Sequence, residues 1–245
     1  AGSRTLETMI GPIAIAAAAG VAGYTYAAMA PGSQIFGRTI VAGRDPNEFA
    51  LTFDDGPNDG CTERLLDLLA AHEVRATFFL IGKYARQRPE MARAIHAAGH
   101  RVGNHTMSHP WLLVTSPRRV REELAGCNAA LEDALGEPVR LMRPPHGARR
   151  PDVLRAAREL GLTPVLWNAM GFDWRPGAPA AGIVEHLERG IARNQRHGRG
   201  SNLLLHDGGH VALGADRTQS VEAARLVLER HSPAKVRYVT VDAWA

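Results

Sequence analysis

Lysine is nearly absent from this 245-residue chain: among 29 Lys and Arg residues only Lys83 and Lys235 are lysines, so arginine carries almost all the positive charge. No Lys/Arg run is interleaved with aromatics, and the formal net charge is only +4. That combination argues against a nucleic-acid-binding protein. Cysteine is scarce too, with Cys61 and Cys127 alone; two distant thiols make neither a disulfide framework nor a CxxC metal site. Charge itself is missing from Thr8 to Gly37. A run of roughly 20 apolar residues has the length of a membrane span, although alanine and glycine make this one only moderately apolar. Residues 8–30 therefore read either as an N-terminal membrane anchor or as a helix packed on the domain. A cleaved leader is a third reading: Ala28-Met29-Ala30 has the small residues of a cleavage site, but Pro31 opposes it.

Beyond residue 43 no linker or low-complexity stretch interrupts the chain, so an N-terminal segment, residues 1–43, precedes a single domain, residues 44–245. With 45% hydrophobic and 22% charged residues the composition is that of an ordinary globular protein. Apolar, β-favouring runs at 50–54, 76–82, 101–104, 139–143, 162–168, 202–206 and 236–241 alternate with helical patterns. Thr62 is placed to cap a helix reaching His72, and Pro89 opens one that closes on Gly99. Ser116 caps one that ends at Gly136, Arg150-Pro151 opens one that stops at Gly161, and two more fit 180–194 and 217–231. Strand and helix alternating in this way predict a parallel sheet. The expected fold is α/β: a distorted, incomplete (β/α) barrel of about seven strands, with its site at the C-terminal rim.

The unusual polar residues fall at that rim. Ala50-Leu51-Thr52-Phe53-Asp54-Asp55-Gly56-Pro57 is a buried strand ending in two adjacent carboxylates and a turn. Alone, Asp-Asp-Gly is a solvated turn closing a strand; a metal held by one carboxylate would relieve the repulsion and leave the other free as a base. His105-Thr106-Met107-Ser108-His109 places two imidazoles at i and i+4, which on a helical turn share a face. With Asp55 they make a two-His, one-carboxylate set that suits one divalent ion, Zn²⁺ first and Co²⁺, Ni²⁺ or iron as alternatives. Thr106 stands where a His-Glu-x-x-His glutamate would be, so the base lies elsewhere, and Asp54 is the nearest candidate. Arg143-Pro144-Pro145-His146-Gly147 leaves its strand as a rigid turn, with Arg143 either solvated or paired to Asp54. Leu204-Leu205-His206 delivers a histidine to the rim, or to the core, and Asp173-Trp174 offers an acid to orient it.

In this order the motifs resemble the polysaccharide deacetylases of carbohydrate esterase family 4, the nodulation-type chitooligosaccharide deacetylase homology domain. The resemblance spans roughly residues 48–242. It implies metal-dependent removal of acetyl groups from an N-acetylated glycan, peptidoglycan or chitin in type. It further implies Asp55, His105 and His109 as metal ligands, Asp54 as base, Arg143 as its positioner, and His206 as acid tuned by Asp173. Pro145, His146, Trp174 and Leu204 would line the substrate groove, and the cell envelope or another extracytoplasmic site would be the location. Two positions depart from the pattern: His146 replaces an aromatic, and Met170 stands where an acid often precedes Asp173-Trp174. A hydrolase of O-acetyl esters or cyclic amides at the same metal is the alternative activity. A non-catalytic carbohydrate-binding module is the alternative class, and the presence of every catalytic residue type speaks against it.

Overall fold

The computed structural model describes residues 18–245, so residues 8–17 of the candidate anchor at 8–30 lie outside the described residues. A helix α1 covers 18–29. Strand β1 (Glu48–Gly56) is buried along all nine residues, as a central parallel strand with both faces covered must be. Then follow α2 (Cys61–Ala71), β2 (Thr77–Leu80), α3 (Gly82–Gln87), α4 (Pro89–Ala97), β3 (Arg101–Asn104) and α5 (Pro117–Leu135). The second half holds β4 (Leu141–Met142), α6 (Pro151–Glu159), β5 (Thr163–Pro164), β6 (Ala169–Met170), α7 (Ala180–Arg196), β7 (Ser201–His206), α8 (Thr218–Arg230) and β8 (Arg237–Tyr238).

All strand pairs are parallel, in the order β5-β4-β3-β2-β1-β7-β6, with β8 pairing the start of β1. The sheet curls into a half-barrel, as expected of this alternation. The expected strand at 162–168 is instead two short pieces. Thr163–Pro164 pairs with β4, whereas Ala169–Met170 pairs with β7 at the opposite edge. One passage thus crosses the gap in the curled sheet, with Val165, Leu166 and Trp167 buried on the way. Pro164, lacking an N–H, cannot donate to a ladder there.

Helix ends follow local chemistry where the cap is local. Ser116 Oγ accepts from Arg119 N and Gly136 closes α5 at φ 74°. Thr62 is the exception: Gly60 caps α2, and Thr62 sits inside the helix. Its hydroxyl accepts from Asn58 N at 2.9 Å and donates to Asp207 at 2.5 Å. A buried acid 145 residues away takes the hydroxyl that would otherwise cap.

Residues 27–43 contact the barrel. The side chain of the buried Arg149 donates to the carbonyls of Gly147, Ala28, Ala30 and Ser33. Ile40 bridges Val165 at the β5 edge. In α1, Val21, Tyr24 and Tyr26 are exposed, whereas Ala27 and Ala28 are buried. Among the described residues no helix is long and apolar enough to cross a membrane.

Candidate active site

The C-terminal ends of β1, β3, β4 and β7 converge on a cavity of about 480 Å³. Asp54, Asp55, His105, His109, His146, Trp174, Leu204 and His206 all line it. Pro145 is buried in the turn before His146, and Asp173 stands behind His206.

Asp54 and Asp55 point differently because the β1–β2 register shifts between Asp54 and Gly56. Asp55 adopts φ 72°, a conformation costly for a residue with a Cβ. Gly56 is required for packing: a Cβ there would lie 2.3 Å from the Asp207 carboxylate. Asp54 Oδ1 accepts from the fully buried Arg143 at 2.7 Å. The same guanidinium donates to Thr52 Oγ1 and Leu166 O and lies 4.2 Å over the Phe79 ring. Arg143 is therefore no solvated loop residue, and Asp54 Oδ2 is left on the side of the His105 ring, 3.7 Å from its Nε2.

The two histidines do not share a helical turn. They sit in a loop after β3 in which Thr106 and His109 have φ 67° and 60°. Side chains hold this shape: Asn104 Oδ1 accepts from Thr106 N, Thr106 Oγ1 accepts from His109 N, and the buried Glu123 carboxylate accepts from Ser108 N and Oγ. Glu123, on α5, is itself paired with Arg119 at 2.7 Å. The imidazoles still converge, through positive-φ turns that a spacing rule does not contain.

Asp55, His105 and His109 each offer a ligand atom, all within 4.8 Å of one another. His105 Nδ1 donates to the Arg143 carbonyl at 2.8 Å, turning Nε2 toward Asp55. Burial and the neighbouring His105 push His109 down to about 2, against the pull of Asp55, so its ring is neutral. Asp55 Oδ1 is buried without a hydrogen-bond partner among the described residues. Burial would raise that carboxyl, but the surrounding imidazoles, His210 foremost, hold it well below the usual carboxylate range. A buried carboxylate oxygen facing the ring nitrogens of His105 and His109 fits a divalent cation.

On the opposite side, His206 Nδ1 meets Asp173 Oδ1 at 2.8 Å, and Asp173 Oδ2 accepts from His206 N and Ser220 Oγ. Burial alone would lower His206, yet the Asp173 charge and hydrogen bond lift it to about 9. Trp174 meets the His206 ring edge-on at 5.3 Å.

Sequence reasoning missed two residues here. His210 stacks on His109 at 4.5 Å and lies 3.8 Å from Asp55 Oδ2, its carbonyl held by Lys83 and Tyr84. Asp207 lies beneath the two aspartates, and burial pushes it up to about 7 despite the Thr62 hydroxyl. The only sequence signal for both is their nearness to His206.

Residues 42–165 match the family model for polysaccharide deacetylase. The chain belongs to the polysaccharide deacetylase family. The chain is 44% identical over 160 residues to a chitooligosaccharide deacetylase of Sinorhizobium fredii, covering 64% of the chain and 71% of the relative. It is 35% identical over 196 residues to a peptidoglycan-N-acetylglucosamine deacetylase of Bacillus cereus, covering 79% and 85%. Among solved structures, the Bc1960 peptidoglycan N-acetylglucosamine deacetylase superposes with TM-score 0.73 at 30% identity, covering 84% and 91%.

Proposed function

We propose that this protein uses one divalent metal ion, Zn²⁺ first among candidates, to remove N-acetyl groups from a chitin- or peptidoglycan-type glycan. One observation carries the reading: the Asp55–His105–His109 cluster lies between two pre-oriented pairs, Asp54–Arg143 and Asp173–His206, across one cavity. The names of the relatives support both glycan types.

When bound, the ion supplies Lewis acidity and lowers the pKa of a coordinated water towards ~7. Asp54, with Oδ1 engaged by Arg143, takes the water proton on Oδ2. The main-chain N–H of His146 donates to the oxyanion that develops on the acetyl carbonyl. Asp173 fixes the tautomer of His206 through Nδ1, so Nε2–H delivers a proton to the departing amine. That protonation is needed because an amide anion is a very poor leaving group. Leu204 bounds the acetyl methyl and Trp174 offers a face to the sugar. Incubating N-acetylated oligosaccharides with the protein and weighing the products tests the reading. Loss of one acetyl per sugar, abolished by chelator and restored by Zn²⁺ or Co²⁺, is expected. Full turnover in verified metal-free protein would overturn it.

We further propose that the part of the 8–30 run ahead of residue 27 holds the enzyme at the cell envelope. Because Arg149 grips Ala28, Ala30 and Ser33, the catalytic unit extends back from residue 44 to residue 27. Removing residues 1–26 is expected to release the protein from the membrane fraction with Tm unchanged within about 2 °C, the shift of a sub-kcal/mol change. Retention in that fraction, or a large fall in Tm, would overturn the assignment.

A further inference from the structure

A second cavity, of about 650 Å³, adjoins the catalytic one, and Pro31, Trp167 and Met170 line both. Its floor is apolar, with Trp167 and Phe172, which suits the face of a sugar ring. Its wall is cationic. His186, Arg189 and Arg193 lie on successive turns of one face of α7, and Arg199 joins them from the following loop. Among the described residues no aspartate or glutamate lines it. None of the three arginines forms an ion pair with an acid among the described residues.

The wall is built rather than incidental. Gly190 brings α7 against β6, since a Cβ there would lie 2.5 Å from Ala169 Cβ. That contact sets the arginine face beside Met170 and the catalytic cavity. Arg193 is spent on the Asn168 carbonyl, whereas Arg189 gives one N–H to His186 Nδ1 at 2.6 Å and keeps its other donors. Arg199 makes no side-chain hydrogen bond among those described, beyond its main-chain bond to Asn194. His186 is lowered by desolvation and by the Arg189 and Arg175 charges, with Glu185 opposing.

We propose that this groove is an anion-recognising subsite of the deacetylase. With one N-acetylated sugar in the catalytic cavity, a neighbouring sugar lies along Trp167 and Phe172 and presents a carboxylate to Arg189 and Arg199. Guanidinium pairs with carboxylate or phosphate through parallel N–H donors, which a neutral hydroxyl cannot match. The inference rests on the deacetylase reading and narrows it from N-acetylated glycans in general to glycans that carry acidic substituents.

The test compares wild type with the Arg189→Gln, Arg199→Gln double variant on four oligosaccharides of equal length. One is neutral, one carries a lactyl carboxylate on the neighbouring sugar, one has that carboxylate amidated, and one carries a phosphate ester instead. Direct binding and KM are both measured. Wild type is expected to bind the carboxylate form about tenfold more tightly than its amide, the scale of one charge-assisted contact. Added salt should shrink that difference, and the double variant should erase it while turning over the neutral oligomer as before. Stronger preference for the phosphate form supports the subsite and names phosphate as the natural anion. Equal affinity for the acid and its amide, or a variant that loses neutral and charged substrates alike, would overturn the proposal. If wild type deacetylates none of the four, the deacetylase reading has failed, and the binding comparison still decides the subsite.

Discussion

Asp54→Asn is expected to lower kcat by about 10²–10⁴-fold, the range for loss of a general base, or roughly 3–5 kcal/mol of barrier. It should retain one equivalent of metal, because Asp55, His105 and His109 carry the converging ligand atoms. Asp55→Ala should do the reverse at its root, losing the metal and activity with it, since the unpartnered Oδ1 is the only anion in that ligand set. Metal content by elemental analysis beside kcat separates the two. The control matters because Asp54 is also the counter-charge of the buried Arg143, and breaking a buried pair costs about 3–5 kcal/mol. Asparagine keeps an acceptor oxygen for Arg143, so Tm should fall while the fold survives. Equal metal binding and persistent turnover in both variants would refute the division of labour between the aspartates.

His206→Ala should reduce kcat by about 10²-fold or more on the same substrates. The pH profile discriminates further. Asp173 lifts His206 to about 9 against the opposing effect of burial, so the ring is a cation, and a competent acid, across the neutral range. Activity should therefore fall as pH rises through His206's pKa, at or somewhat below 9, since a bound divalent cation repels the imidazolium. Asp173→Asn removes the lifting charge and leaves burial to act alone. The alkaline limb should then move to lower pH by one unit or more, with kcat at pH 6 least affected. An unmoved limb in Asp173→Asn would assign the alkaline limb to another group.

Much of this site is legible in the sequence alone. Aspartates, histidines and an arginine at the ends of apolar runs, in one order along the chain, mark a rim, because a parallel sheet brings its C-terminal strand ends together. The Asp54–Arg143 pair was one of two readings open for Arg143, and burial selects it, since a buried carboxylate and a buried guanidinium need one another. Less legible was how His105 and His109 meet. The i, i+4 spacing is right and the helix inferred from it is wrong, because Glu123 and Asn104 pull the loop into positive-φ turns. His210 was invisible for a similar reason: it enters the site because α3 supplies Lys83 and Tyr84 to hold its carbonyl.

The sequence by itself determined the strand–helix alternation, the identity of the ligand, base and acid candidates, and their common rim. These depend on periodicity and on residue type, both of which are local. Only the tertiary structure decided that residues 163–170 cross the open side of the barrel and that Arg149 ties residues 28–33 to the catalytic rim. It alone placed the arginines of α7 beside the catalytic cavity. Each depends on burial and on partners far away in the chain, where a hydrogen bond is decided by what the fold brings near and not by what the neighbouring residues prefer.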